Sequence, residues 1–139
     1  MKLIVCVDDN YGILFNNRRV SRDKAVILKI SELINSNEIL VSEYSSELFS
    51  DTSVNLKIVK GIFKRTDGSY IFCEEEIPPK YFNKITEIYL FKWNRKYPSD
   101  VKFPFVDLCE KAELSATEKL VGNSHPEITF EVYKLWKIE

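Results

Sequence analysis

Several stretches of this 139-residue chain bring chemically capable side chains close together. Asn16-Asn17-Arg18-Arg19, with Arg22, forms a dense polar loop just ahead of a helix start. Guanidinium groups there could clamp a phosphate or carboxylate, because arginine's fork and a helix N-terminus both favour anions. The plainer reading is a solvated loop. Glu74-Glu75-Glu76, together with Asp8 and Asp9, could bind Mg²⁺ if the strand ends converge. Nothing in the spacing requires it, and a solvated charge run before Pro78-Pro79 accounts for the glutamates more simply. Lys92-Trp93-Asn94-Arg95-Lys96-Tyr97 interleaves basic and aromatic residues, a pattern able to stack on bases and pair with phosphates. A strand end with Trp93 packed inward is the competing account. His125 precedes Pro126 in a turn, where a histidine is expected to be exposed. No GxSxG nucleophile elbow accompanies it, so the sequence offers no Ser-His-Asp triad.

The totals narrow the function classes. A chain of this length suits one domain, residues 1–139, with one core. Hydrophobic residues make up 45% and charged residues 29%, the balance of an ordinary globular protein. The formal charge of −1 gives no field that would favour nucleic acid or an anionic membrane. No apolar run approaches the roughly 18 residues of a spanning helix, and MKLIVCVDD is no signal peptide. Cys6, Cys73 and Cys109 are odd in number and far apart, with Cys6 and Cys73 inside apolar runs. They read as reduced thiols in a cytoplasmic protein. One histidine and no CxxC argue against zinc, and no metal is expected.

The elements that must position these residues follow from pattern. Ile88-Tyr89-Leu90-Phe91 is a continuous apolar run and reads as a strand buried on both faces. Tyr97-Pro98-Ser99-Asp100 is turn chemistry after it. Lys2 to Val7 is a second central strand, ended by Asp8-Asp9-Asn10-Tyr11-Gly12, where Asn and Gly tolerate positive φ. Ile13 to Val20 reads as a loop. Ser21 is the expected N-cap of a helix over 22–36, with apolar residues at Val26, Ile27, Ile30, Leu33 and Ile34. Glu38 to Ser42 is a short strand and Ser45 to Phe49 a short helix. Asn55 to Phe63 and Tyr70 to Cys73 read as strands joined by a turn at Thr66–Ser69, able to pair as a hairpin. Lys80 to Ile85 is a short helix after Pro78-Pro79. Glu113 to Lys119 is polar and edge-like, and Thr129 to Ile138 is the last strand. Strands alternating with helices, then running strand to strand, predict a mixed sheet with helices on its faces and an antiparallel C-terminal hairpin.

With the elements in this order, the chain resembles the dihydrofolate reductase family. ITEIYLFKW, a turn and SDVKFPFVDL follow that family's "LYLT" strand and "gDtyFP" turn. NSHPEITFEVYKLW resembles its closing "yTFexYer" strand, and IVCVDDNYGILFNN its first strand and active-site loop, "AVDxNxGIGxNG". ILVSEYSSELF would be the second strand with its "MGRkTWeS" motif. The resemblance implies an α/β fold: a three-layer sandwich around a mixed, mostly parallel sheet. A further resemblance is to small bacterial proteins that carry an automatic ribonuclease Z label. That activity needs an HxHxDH motif, and this chain has His125 alone.

The same resemblance locates departures. Where the family has a Gly-Gly pair for the pyrophosphate of NADPH, this chain has Glu74-Glu75-Glu76. Like charge at about 4 Å costs roughly 1–4 kcal/mol per pair, between water and surface dielectrics. Where the family's Gly-Arg-Lys-Thr run takes the adenosine phosphate, this chain has Ser42-Glu43-Tyr44-Ser45. The chain is also about twenty residues shorter than a typical member, as if a middle strand–helix unit were lost. No cofactor is therefore expected. The family's pocket acid is matched by Asp23, a candidate for gripping a ligand or relaying a proton. Its alternative is an acidic residue favoured by the helix dipole. Phe91 stands in place of the family's strand threonine, and Ser45 matches its other pocket threonine.

The expectation is a cofactor-less relative that binds a small molecule or protein partner. Its cleft would be lined by Asp23, Ser45, Tyr89 and Phe91, with the Arg18–Arg19 loop above. Competing expectations are metal-assisted hydrolysis of a phosphate-containing substrate, nucleic-acid processing, and a true reductase.

Overall fold

The computed structural model describes residues 1–64 and 68–135. Its strands are β1 (Lys2–Val7), β2 (Gly12–Phe15), β3 (Arg18–Arg19), β4 (Ile39–Val41), β5 (Leu56–Ile58), β6 (Tyr70–Phe72), β7 (Glu87–Lys92), β8 (Val101–Lys102), β9 (Glu113–Leu120) and β10 (Ile128–Lys134). The helices are α1 (Lys24–Ile34), α2 (Glu43–Ser46) and α3 (Phe105–Cys109), with 3-10 turns at Glu47–Phe49, Ile62–Lys64 and Pro79–Lys84.

Seven strands form one sheet in the order β5-β4-β6-β1-β7-β10-β9. Pairing is parallel from β5 through β7, and antiparallel where β10 meets β7 and β9. β1 and β7 lie at the centre, so both their faces must be apolar, as the runs LIVCV and IYLF supply. Leu3, Val5 and Val7 belong to one core, with Leu90, Phe103 and Leu108. Ile4, Tyr89 and Phe91 belong to the core on the opposite face, beneath α1. α1 buries Val26, Ile30 and Ile34, spaced four residues apart on one helical stripe. Phe49 covers the same face and packs edge-on against Phe72, with ring centroids 5.4 Å apart.

Some expectations give way. The stretch 13–20 is no loop: Asn16 and Asn17 take positive φ and turn β2 back onto β3, and β2 also pairs with β8. Two positions that tolerate left-handed backbone make a tight hairpin out of a sequence without strand periodicity. In the 8–12 turn the positive φ belongs to Tyr11, not to Asn10 or Gly12. Gly12 is needed for space instead, because a Cβ there would lie 2.3 Å from Ser99 Oγ. β5 and β6 do not pair as a hairpin; β4 lies between them and is parallel to both. Three-residue strands carry too little alternation to reveal their partners. Phe105–Cys109, unassigned from sequence, is helical. Of the 66–69 turn and the end of the last strand, residues 65–67 and 136–139 lie outside the described ones.

Candidate functional site

α1 begins two residues later than its sequence suggests, and this shift builds the site. Its N-cap is Asp23, not Ser21, with extended backbone and a carboxylate that accepts from Ala25 N–H at 2.9 Å. The same carboxylate accepts N–H bonds from Asn123 (2.9 Å), Ser124 (2.7 Å) and His125 (3.1 Å) in the β9–β10 loop. His125 Nδ1 lies 3.2 Å away. Burial works against ionisation of Asp23, but the backbone donors of Asn123, Ala25 and Ser124, then the His125 ring, outweigh it and hold the carboxyl well below the ordinary range. Gly122 lets the loop close this tightly: a Cβ there would sit 2.5 Å from Asp23 Oδ2 and 2.6 Å from the His125 carbonyl.

Ser21, released from capping, bonds His125 instead. Its Oγ is 2.9 Å from His125 Nε2. Tyr97 O–H reaches both, at 3.0 Å from Nε2 and 3.3 Å from Ser21 Oγ. Tyr97 is held in turn by its N–H, which donates to the buried Asp8 carboxylate at 2.9 Å. The Trp93 ring packs on the imidazole with centroids 4.7 Å apart. His125, expected to be an exposed turn residue, is 2% exposed. A hundred residues of chain separate it from its carboxylate partner, and no local pattern announces such a contact.

The second half of the site is ionic. Arg19 grips Glu74 through two nitrogens, Nε to Oε2 at 2.8 Å and Nη2 to Oε1 at 3.0 Å. Its Nη1 reaches Glu47 at 2.7 Å, and its guanidinium lies over the Tyr44 ring. Burial lowers the Arg19 pKa, but the Glu74 and Glu47 carboxylates reverse this and raise it overall. Ser45 O–H donates to Glu74 Oε1 at 2.8 Å. Arg18 stays exposed and lines an open hollow of about 490 Å³ with Phe15 and Pro98. Tyr89 and Phe91 pack under α1 with Phe130. Trp93, from the basic-aromatic stretch, is buried and offers no face to a base. Among the described residues, those of Glu74–Glu76 and Asp8–Asp9 included, no group of three His, Cys, Asp or Glu side chains could hold a metal ion.

Between these halves lies a cavity of only about 20 Å³, lined by Cys6, Ser21, Leu48, Phe72, Glu74 and Trp93 among others. It shares the lining residues Arg22, Asp23, Ile27 and Leu48 with a groove of about 280 Å³ between α1 and the 47–49 turn. Leu28, 64% exposed, stands on its rim.

Neither a protein-family model nor a curated protein matches the sequence. Among solved structures, the chain is similar to dihydrofolate reductase from Enterococcus faecalis complexed with NADP(H) and RAB-propyl. The TM-score is 0.68 at 12% identity, over 98% of this chain and 96% of that one. The fold is that of dihydrofolate reductase. In this dihydrofolate reductase fold, the connection from β5 to β6 is only residues 59–69, and its described part holds a single 3-10 turn. No helix among the described residues is long and apolar enough to cross a membrane.

Proposed function

We propose that this protein is a dinucleotide-independent relative of the reductases that binds a small molecule in the groove between α1 and the 47–49 turn. The observation that carries the reading is the Arg19–Glu74–Ser45 cluster. It fills the inner cleft with paired charge while the outer groove stays open. An arginine held by a bidentate, largely buried carboxylate is not free to clamp a ligand's anion.

The residues present do not fit NADP(H), the group carried by the reductase of similar fold. A pyrophosphate needs close backbone approach, and β6 runs instead into three glutamates, with Glu75 and Glu76 exposed. Among the described residues, the only positive-φ glycine is Gly61, before β6 rather than after it. Glu43 and Tyr44 occupy the start of α2, where the family has its cationic run.

The groove suits a ligand with an apolar body and a polar end. Ile27, Leu28 and Leu48 supply apolar wall, while Arg22 and Lys24 face Glu47 and Asp51 across it. Mass spectrometry of small molecules released from purified protein should identify a ligand that Leu28→Glu no longer retains. NADPH should leave the melting temperature unchanged; a rise of several degrees would return the protein to the reductases.

A further inference from the structure

We propose that Ser21 is the nucleophile of an acyl-transfer site, with His125 as its base and Asp23 as the positioning residue, acting on carboxylic esters whose acyl part lies in the groove. Ser21 Oγ, His125 Nε2, His125 Nδ1 and Asp23 Oδ2 form one chain of contacts, at 2.9 Å and 3.2 Å. These separations fit a serine hydroxyl handing its proton to an imidazole oriented by a carboxylate. In the proposed arrangement the imidazole tautomer is the one in which Nδ1–H donates to the Asp23 carboxylate and Nε2 accepts. Tyr97 O–H lies 3.3 Å from Ser21 Oγ and 3.0 Å from Nε2; in the reactive arrangement it donates to Ser21 Oγ and leaves Nε2 to the serine proton.

An independent observation concerns the same cavity. Trp93 Nε1 is the one buried side-chain nitrogen or oxygen without a hydrogen-bond partner among the described residues. Trp93 lines the same small cavity as Ser21. A buried N–H left unpaired costs about 1–3 kcal/mol, so something is expected to accept from it. The cavity, about 20 Å³, is large enough for one water or one carbonyl oxygen. In the proposed complex an ester carbonyl is seated there, its oxygen accepting from the indole N–H and its acyl chain lying in the neighbouring groove.

The step balances without another reagent. Ser21 Oγ bonds to the carbonyl carbon as its proton passes to His125 Nε2. The carbon–oxygen bond to the leaving alcohol breaks, and the alkoxide takes that proton. Water then attacks the acyl-serine by the same route and returns the serine hydroxyl. The indole N–H stabilises the oxyanion at each stage.

The inference rests on the groove being a ligand site, and the test separates the two. The full chain is treated with an alkyl fluorophosphonate and its intact mass followed. One label is expected, mapping to Ser21, absent in Ser21→Ala, and at least roughly 100-fold slower to form in His125→Gln and in Asp23→Asn, scored per folded molecule. A wild-type chain that takes no label, or a label that persists in Ser21→Ala, overturns the proposal. Ser21→Ala changes one half-buried hydroxyl, so its fold is expected to survive. If Ser21→Ala still retains the copurifying ligand, the groove reading stands whatever the labelling shows. If Leu28→Glu labels as fast as wild type with an apolar probe, the acyl part does not use the groove.

Discussion

Asp23 carries the heaviest hydrogen-bonding duty of any side chain near the cleft, joining the start of α1 to a loop about a hundred residues later. Its carboxyl is held below the ordinary range, so the stabilisation it gives is present above about pH 4 and fades as pH falls further. Asp23→Asn should cost about 3 kcal/mol at pH 7. The gap in melting temperature from wild type should narrow between pH 5 and pH 3, as followed by calorimetry; a gap independent of pH would mean the carboxylate's charge is not what matters. Gly122 is the other residue on which this joint depends. Gly122→Ala drives a methyl group into the Asp23 carboxylate and the His125 carbonyl, which are held by N–H donors of the same loop, His125 N–H and Gly122 N–H respectively. Denaturant unfolding should show a loss of about 1–3 kcal/mol. Unchanged stability would mean that the loop can open without penalty.

At the scale of elements, Arg19 ties the β2–β3 hairpin to the cleft side of the sheet by ion pairs, while Ile13 and Leu14 of β2 pack into the core. Arg19 leaves β3, crosses to Glu74 beyond β6 and touches Glu47 beside α2. The Arg19 and Glu74 side chains are mostly buried, so removing only the arginine strands a carboxylate. Arg19→Ala should destabilise by about 3–5 kcal/mol, whereas the pair Arg19→Leu with Glu74→Leu should lie much nearer wild type. Equal losses in the two would assign the effect to packing instead of charge. α1 was plain in the sequence because Val26, Ile30 and Ile34 repeat at helical spacing. Its first turn was not: Ser21 and Asp23 both make good caps, and the choice was settled by which one the distant loop needed.

For the molecule as a whole, two cores on opposite faces of one sheet bury most of its sulfur. Cys73 is fully buried and its thiol is pushed up to about 12 by burial, and Cys109, also buried, to about 12 for the same first reason. Cys6, half-buried on the cleft side of β1, is raised by burial and then by the nearby Glu74 charge. Native protein at pH 8 should therefore react with iodoacetamide roughly a thousandfold more slowly than unfolded chain at Cys73 and Cys109. Rapid alkylation of either, read by peptide mass, would show that the sheet opens far more readily than its burial implies.

Local physics determined much of this protein directly from its sequence. The apolar runs at 2–7 and 88–91 read as central strands, and the polar stretch at 113–119 as weakly extended or edge-like. The glutamates after residue 73 are likewise a matter of composition, and the proposed dinucleotide independence starts from them. Tertiary structure alone decided where β4, β5 and β6 lie, because strands of three residues pair through chain routing and not through pattern. It alone made a buried partner of His125, which a turn and a following proline had marked for solvent. Those contacts join residues some hundred positions apart, and a sequence records periodicity within a segment but not which distant segment will fold against it.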